Sequence, residues 1–280
     1  MFADDTNLFI KDKNLGSLVA NANNELDKIS NWFKLNKLSL NIKKTNFILF
    51  TSRKRKLDEK PELKIDGTKI EQVRTAKFLG VVINDTLTWD DHIKTVKQKV
   101  QKNIGIIYRI RANLPSCTAL SLYFTLIHPY FEYCNIVWAV HRSSQLNKLF
   151  ICQKIAIRTI TNSKRRTHTK PLFAKLKILT LFDVNNQQVA CFMYRSTNNL
   201  LPDYFSKMFS QNSSFHAHNT RQHHHIHIIR HRLNVRRNTV HIFGPKLWNN
   251  LPTAITQSPN VFVFKRRYKK YLLLNPNFIN

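Results

Sequence analysis

The chain has 280 residues, which is long enough to bury a sizeable core and to form one or two domains. Its 45 lysines and arginines outnumber its 16 aspartates and glutamates, for a formal net charge of +29. The excess is uneven, since residues 1–100 hold 19 basic and 13 acidic residues whereas the rest of the chain holds 26 and 3. Such a surplus favours a polyanionic partner such as nucleic acid, although ribosome-like or membrane-surface binding fits the charge equally well.

Three features of the sequence argue against a membrane span, secretion and a zinc site. Residues 112–131 carry no charged side chain and approach the roughly 20 residues that a spanning helix needs, but two prolines and several Ser and Thr interrupt them. Acidic residues stand where a secretory signal would place basic and then apolar ones. The four cysteines form no Cys-x-x-Cys unit. We therefore expect an intracellular protein with reduced thiols.

The segment Phe2-Ala3-Asp4-Asp5-Thr6 places two carboxylates side by side. Adjacent carboxylates repel each other unless a cation offsets the repulsion. Mg²⁺ prefers such oxygen ligands and reaches substrate phosphates through them, as two-metal phosphoryl transfer requires. The apolar residues 8–10 that follow predict a strand. A solvated N-terminal turn is the alternative interpretation of the acidic pair.

The next 75 or so residues predict a mixture of one helix and short strands. Apolar residues at helical spacing predict a helix over about residues 15–35, and a basic turn at Lys43 and Lys44 then leads into a strand that ends near Phe50. Strands are predicted at residues 63–65 and 69–73, joined by a hairpin turn at Asp66-Gly67. The apolar run at residues 78–83 predicts a single buried strand.

The region from about residue 90 to residue 205 is helical in pattern. A first helix is predicted from apolar residues that recur every three or four positions, namely Ile93, Val96, Val100, Ile104, Ile107 and Ile110. Four lysines, Lys94, Lys97, Lys99 and Lys102, lie mostly off that stripe. Further helices are predicted at residues 119–140, 145–160 and 181–196, followed by a helix end and loop up to residue 205.

The last part of the chain is rich in histidine and arginine. Seven histidines lie between His216 and His231, a density that suits transition metals, but the run contains neither cysteine nor carboxylate. A polar strand or loop that contacts RNA is therefore the favoured interpretation. Beyond it, seven basic residues interleave with aromatic ones and predict nucleic-acid binding, namely Arg236, Arg237, Lys265, Arg266, Arg267, Lys269 and Lys270. The aromatics Phe262, Phe264, Tyr268 and Tyr271 either stack on bases or anchor a terminal helix.

The order of these motifs resembles the C-terminal half of a reverse transcriptase palm. The order is aromatic-Ala-Asp-Asp, helix, Leu-Asn-x-x-Lys-Thr, hairpin and Phe-Leu-Gly, and it is most similar to the non-LTR (LINE-type, Jockey-like) retrotransposon enzymes. The resemblance continues through Trp89-Asp90-Asp91-His92-Ile93, Asn219-Thr220-Arg221 and residues 244–252, so it covers nearly the whole chain.

The resemblance implies specific roles for several residues. Asp4 and Asp5 match the metal-binding pair of an enzyme that uses two Mg²⁺ ions, an RNA template and a DNA primer. Lys44, with Lys43 beside it, matches a lysine near the incoming nucleotide, where a cation neutralises the leaving pyrophosphate. Phe78, Leu79 and Gly80 match the hairpin that grips the primer terminus. From the residues alone, an exposed turn lysine and a plain apolar core segment fit equally well.

The predicted fold class is therefore α+β, a truncated palm followed by a mostly helical, thumb-like region. The predicted divisions are a palm remnant at 1–85, a helical thumb-like region at 86–200, where the four lysines track a duplex, and a basic segment at 201–280. The palm's other aspartate and the fingers are expected before Met1, which predicts a polymerase fragment that is inactive alone. A non-enzymatic nucleic-acid-binding module and a degenerate transposon relic stay open as alternatives.

Overall fold

The computed structural model describes residues 6–51, 60–140, 143–215, 222–232, 234–237 and 239–275. It divides into two compact units, one up to Thr88 and one from Trp89. The first combines one helix with small sheets, whereas the second is helical. At this level the mixed α+β class with a helical bias is confirmed. The three predicted segments, with boundaries after residues 85 and 200, stay a prediction.

The first unit contains one long helix, a short 3-10 helix and six short strands. They are α1 (Leu15–Leu35), the 3-10 helix Ile42–Lys44, β1 (Asn46–Phe47), β2 (Lys64–Ile65), β3 (Thr68–Lys69), β4 (Glu71–Gln72), β5 (Thr75–Phe78) and β6 (Val81–Asn84). The strands form three pairs: β1 with β4 is parallel, while β2 with β3 and β5 with β6 are antiparallel.

Helix α1 confirms the helix predicted from its apolar spacing. Its first turn is capped by Asn14, whose Oδ1 accepts the Gly16 N–H at 2.8 Å. Farther along, the Ser30 hydroxyl donates to both carboxylate oxygens of Asp66 at 2.9 Å, and Lys34 Nζ lies 2.7 Å from the same carboxylate. These contacts fasten the hairpin turn between β2 and β3 to the helix.

The predicted hairpin at Asp66-Gly67 is confirmed, but its second strand lies elsewhere than expected. Asp66 and Gly67 both have positive φ, 50° and 76°, as a two-residue type I′ turn requires. This turn sets Thr68 opposite Ile65, so the returning strand is β3. The single strand expected at residues 69–73 is divided between two strands, because Lys69 belongs to β3 whereas Glu71–Gln72 pairs with β1.

Two other strand predictions in this unit are wrong. The apolar run at residues 78–83 is not one strand, because Leu79 and Gly80 have φ of 45° and 81° and form a two-residue turn between β5 and β6. Residues 8–10 form no strand, and the Phe9 side chain is 77% exposed. Apolar content alone could not separate a strand from a turn or an exposed segment.

The second unit consists of twelve helices and two short 3-10 helices among the residues that the structure describes. The α-helices are α2 (Asp90–Ile110), α3 (Ser116–Leu126), α4 (His128–Glu132), α5 (Asn135–Trp138), α6 (Ser144–Ile160), α7 (Lys170–Leu176), α8 (Leu181–Thr197), α9 (Asp203–Ser206), α10 (Asn234–Arg237), α11 (Val240–Asn249), α12 (Thr253–Thr256) and α13 (Val261–Leu274). The 3-10 helices are Arg111–Asn113 and Asn212–Ser214. None of the helices in the described ranges has the length and apolar character needed to cross a bilayer.

Helices α2, α6 and α8 confirm three of the four helices predicted in this region. The continuous helix expected at residues 119–140 is wrong, because it is split into α3, α4 and α5. Pro129 lies in the first turn of α4, where no helical hydrogen bond is lost through its missing N–H. Cys134, with φ of 50°, interrupts the helical backbone between α4 and α5. Ile110, expected on the buried stripe of α2, is 41% exposed.

Two apolar clusters form the core of this unit. The first joins α2, α3, α6 and the start of α8, with Val100, Ile107 and Tyr123 fully buried. The second joins α8, α11 and α13, where Tyr194 stacks on Phe264 with ring centroids 4.7 Å apart. Helix α8 contributes to both clusters and so holds the helical unit together.

Candidate nucleic-acid interface

The residues predicted to act in catalysis belong to the first unit. Asp4 and Asp5 lie outside the described residues. Lys44 ends the 3-10 helix, where its N–H lies 3.2 Å from Asn41 Oδ1, and its side chain is exposed. The backbone at this turn is thus fixed by Asn41, while the ammonium group is free to meet an anion. Among the described residues, no group of three or more His, Cys, Asp or Glu is placed to hold a metal ion.

The predicted primer-grip residues form the β5–β6 turn. Phe78 ends β5 and is half-buried, while Leu79 and Gly80 are exposed at the turn itself. The Phe78 ring meets the Phe9 ring edge to face, with centroids 6.0 Å apart. The structure therefore brings the segment that follows the acidic pair onto the predicted grip. It does not bring Lys44 into any described contact with these residues.

The four lysines predicted on the first helix of the second unit lie on α2. Lys94, Lys99 and Lys102 are exposed, and Lys97 is half-buried. The buried residues of α2, among them Val96 and Val100, lie on a different side of the helix. Lys99 Nζ also lies 5.8 Å from the centre of the Tyr130 ring. The helix thus presents three of these four cations fully to solvent, and their contact with a duplex stays a prediction.

A second basic cluster was missed by the sequence reasoning. Five basic side chains are exposed on the connection from α6 to the start of α7, namely Lys164, Arg165, Arg166, His168 and Lys170. The loop is fixed by hydrogen bonds: Arg158 Nε donates to the Thr167 carbonyl at 2.8 Å, and the Thr167 N–H donates to the Lys164 carbonyl at 3.0 Å. The run Ser163-Lys164-Arg165-Arg166 after a predicted helix was the signal that could have revealed it.

Helix α13 separates its aromatic residues by burial. Phe264 and Tyr268 are completely buried in the second core cluster, so these two anchor the helix. Phe262, by contrast, is 82% exposed. Lys265, Arg266, Arg267 and Lys270 are exposed, and Lys269 is half-buried. The basic and aromatic mixture seen in the sequence therefore becomes a basic surface with one free aromatic ring.

An open groove of about 330 Å³ lies beside this surface. One side is formed by α13 through Phe262, Lys265, Arg266 and Lys269; the other side is formed by Phe124 at the end of α3 and by His128 and Glu132 of α4. Its position is fixed by α8, since Gln187 Nε2 donates to the Lys265 carbonyl at 3.1 Å. We call this feature the α4–α13 groove.

Glu132 gives the α4–α13 groove a carboxylate within a strongly basic unit. Its oxygens lie 3.5 Å from His128 Nδ1 and 3.9 Å from Lys265 Nζ, and Gln188 Nε2 donates to one of them at 3.4 Å. The hydrogen bond from His128 lowers the pKa of Glu132 below its ordinary value, with a further contribution from the charge of Lys265. The carboxylate is therefore ionised at neutral pH.

The described part of the histidine run, residues 222–232, is a loop, one of the two predicted conformations, while its contact with RNA stays a prediction. His227 Nδ1 lies 3.1 Å from Asn212 Oδ1 and its ring stacks on Phe215, with centroids 4.3 Å apart. The Ile226 N–H donates to Asn249 Oδ1 at 3.0 Å, and Asn249 Nδ2 donates to the Ile226 carbonyl at 2.9 Å. His216 and His218 lie outside the described residues. Arg236 and Arg237 are exposed on α10.

Comparison with known proteins points to one group of mobile-element enzymes. The chain is 24% identical over 163 residues to a probable RNA-directed DNA polymerase from transposon X-element of Drosophila melanogaster, which is 57% of this chain and 18% of that protein. It is 23% identical over 185 residues to the RNA-directed DNA polymerase from mobile element jockey of the same species, covering 65% of this chain and 20% of that protein. The predicted resemblance to non-LTR retrotransposon reverse transcriptases is confirmed.

The similarity to these reverse transcriptases is partial in extent. A third relative, from transposon BS of Drosophila melanogaster, is 23% identical over 58% of this chain and 18% of its own length. The chain thus matches about a fifth of the length of these reverse transcriptases. No family model matches the chain. No solved structure matches it either.

Proposed function

We propose that this chain is the C-terminal portion of a non-LTR retrotransposon reverse transcriptase, with the end of the palm and a thumb-like region, and that it holds an RNA template paired with a DNA primer. The observation that carries the proposal is the unneutralised positive charge of the helical unit. Within its described residues, Lys265 beside Glu132 is the only lysine or arginine in an ion pair. Apart from Lys265, the exposed cations of α2, of the α6–α7 loop and of α13 are therefore available to phosphates.

In the first unit, the proposal assigns the roles that the resemblance implies. Asp4 and Asp5 bind Mg²⁺, Lys44 neutralises charge on the leaving pyrophosphate, and the turn at Phe78, Leu79 and Gly80 holds the primer terminus. The contact between Phe9 and Phe78 supports this arrangement, because Phe9 follows Asp5 by four residues and the chain is thereby tied to the grip. The exposed ammonium of Lys44 is consistent with its role.

In the helical unit, the proposal rests on how lysine and arginine contact nucleic acid. Long basic side chains on fixed helices and on a hydrogen-bonded loop reach phosphates without a large loss of backbone freedom. Phosphate contacts position a duplex and carry no sequence information. We therefore expect tight binding at low salt with little sequence preference.

Salt dependence of binding tests the proposal. The full chain is titrated against a fluorescent RNA–DNA hybrid, and we expect its affinity to fall on the order of 10³-fold or more between about 50 and 200 mM salt if about six phosphates are engaged. Replacing Lys94 and Lys102 of α2 with alanine should reduce the slope of log K against log salt by about 0.9 for each lost contact.

The matched control is Lys28→Ala. Lys28 is an exposed helix lysine of the first unit, and its Nζ is already paired with Glu25 at 2.7 Å, so the slope should not change. Affinity independent of salt, or stronger binding to anionic lipid vesicles than to the hybrid, would contradict the proposal. The metal role is tested separately with Mn²⁺ as a paramagnetic probe: a bound signal that survives Asp4→Asn and Asp5→Asn together would contradict it.

A further inference from the structure

The α4–α13 groove combines features that phosphate contacts alone do not explain. A surface that bound only phosphates would gain nothing from an ionised carboxylate, because Glu132 repels them. Neither would it need an aromatic ring that is 82% exposed, as Phe262 is. Both groups line the same groove, together with Phe124, which is 39% exposed. The groove must therefore suit a ligand that offers an aromatic face and hydrogen-bond donors as well as negative charge.

We propose that the α4–α13 groove binds one unpaired nucleotide of a single-stranded RNA, with the base against Phe262 and its phosphate on Arg266 and Lys269. This inference rests on the proposed function and adds to it a site for a single strand. A volume of about 330 Å³ has the size of a small-ligand site. Stacking on an aromatic side chain beside cations is how proteins hold single strands.

The charges of the groove favour one orientation of the nucleotide, with the phosphate and the base at different sides. Lys265 lies 3.9 Å from Glu132 and is partly neutralised by it, whereas no ion pair involves Arg266 or Lys269 among the described residues. The phosphate is therefore attracted to the Arg266 and Lys269 side of the groove. Glu132 accepts hydrogen bonds, so it favours bases with an exocyclic amino group, and cytosine presents one where uracil presents a carbonyl.

Contacts with neighbouring side chains hold the groups that line the groove in place. His128 Nδ1 lies 3.5 Å from one oxygen of Glu132, and the ring of His128 packs against Phe124 with centroids 5.2 Å apart. Gln187 fixes the backbone of Lys265 from α8. Because these groups are positioned by helices, binding requires little ordering beyond the side chains of Arg266 and Lys269.

A comparison of single-stranded and duplex RNA tests the inference. The full chain is titrated by fluorescence anisotropy with a short oligocytidylate, an oligouridylate of equal length and an RNA duplex, all at one salt concentration. We expect Phe262→Ala to weaken binding of oligocytidylate about tenfold, since stacking on one base is worth that much or more, and to leave duplex binding unchanged. Phe262→Trp should retain the affinity.

Two further variants test the role of Glu132 and the specificity of the Phe262 effect. Glu132→Gln should reduce the preference for oligocytidylate over oligouridylate, because the amide no longer offers two acceptor oxygens. Tyr204→Ala is the matched control: Tyr204 is 78% exposed on α9 and does not line the groove, so its loss should change nothing. Because Phe262 is almost fully exposed, its replacement should leave the melting temperature unchanged, which is measured first.

The outcomes distinguish failure of the inference about the α4–α13 groove from failure of the proposed function. If Phe262→Ala leaves oligocytidylate binding unchanged, or weakens duplex binding equally, the inference is overturned while nucleic-acid binding stands. If the unmodified chain binds none of the three RNAs, both the inference and the proposed function fail. Equal affinity for oligocytidylate and oligouridylate would overturn the assignment of Glu132 to an amino group.

Discussion

Gly244 in α11 lies so close to Met193 in α8 that a methyl group added to it would come within 2.6 Å of the Met193 sulfur. Met193 is completely buried, so it has little room to move. We expect Gly244→Ala to lower the free energy of unfolding of the helical unit by about 1–3 kcal/mol, as overpacking does. Urea denaturation followed by far-UV circular dichroism measures the change.

Gly105 provides the matched control for this substitution. It lies on the exposed side of α2, and a methyl group there would meet nothing within 4 Å. Gly105→Ala should therefore raise the free energy of unfolding by up to about 1 kcal/mol, because alanine favours the helix. Equal effects of the two replacements on the free energy of unfolding would show that packing against Met193 does not restrict the size of the side chain at residue 244.

Gln153 joins three helices through buried hydrogen bonds. Its Nε2 donates to the Tyr123 hydroxyl at 2.9 Å and to the Leu179 carbonyl at 3.0 Å, and its Oε1 accepts the Leu181 N–H at 2.7 Å. Gln153→Leu removes this partner from all three groups. We expect a loss of about 2–4 kcal/mol of stability, since buried polar groups without partners are costly. Gln98→Leu, on the exposed side of α2, should stay within about 0.5 kcal/mol of the unmodified chain.

His92 makes the helical unit sensitive to acid. Burial lowers the pKa of His92 to about 4 from an ordinary value of 6.5, helped by the charge of Lys99. The fold therefore favours the neutral ring. The stability that this shift contributes is fully present above pH 6.5 and is lost as the pH falls towards 4, by about 3 kcal/mol.

The test measures the urea concentration at the midpoint of unfolding as a function of pH between 4 and 6.5. His92→Leu should remove most of the dependence, whereas His168→Leu, which replaces an exposed loop histidine, should keep it. A midpoint that falls equally in both variants would assign the acid sensitivity to other groups.

The β5–β6 turn holds Leu79 in a conformation that suits Asn or Gly better. Its φ of 45° is left-handed, and type I′ turns prefer Asn-Gly at these two positions. Leu79→Asn should therefore stabilise the first unit by about 0.5 kcal/mol, and Gly80→Ala should destabilise it by about 1 kcal/mol. Amide hydrogen exchange in β5 and β6 measures both. Faster exchange in Leu79→Asn would mean that the leucine side chain outweighs the turn preference.

Regular local patterns were sufficient to predict a large part of the fold. Helices α1, α6 and α8 and the turn at Asp66-Gly67 follow from periodicity and turn chemistry, which act over a few residues. The lysines of α2 could likewise be placed on a solvent side, because the apolar stripe fixes the opposite side. The resemblance to reverse transcriptases rests on the order of such motifs and was also visible in the sequence.

Breaks within apolar stretches were not predicted. The run at residues 78–83 conceals the turn at Leu79, since leucine carries no turn signal, and residues 119–140 conceal the left-handed Cys134. In both cases the surrounding structure stabilises a backbone conformation that the residue itself disfavours. The sequence also did not show which aromatic residues of α13 are buried, because only packing against α8 and α11 distinguishes Phe264 from Phe262.

The sequence by itself determined the basic character, the main helices and the kinship of this chain, because these depend on composition and short-range spacing. The tertiary structure alone decided which charged and aromatic groups share a surface. Glu132 and Phe262 are far apart along the chain, yet α8 packs α13 beside α4 and places both in one groove. Such proximity arises from the burial of apolar faces at a distance in sequence, which no local pattern encodes.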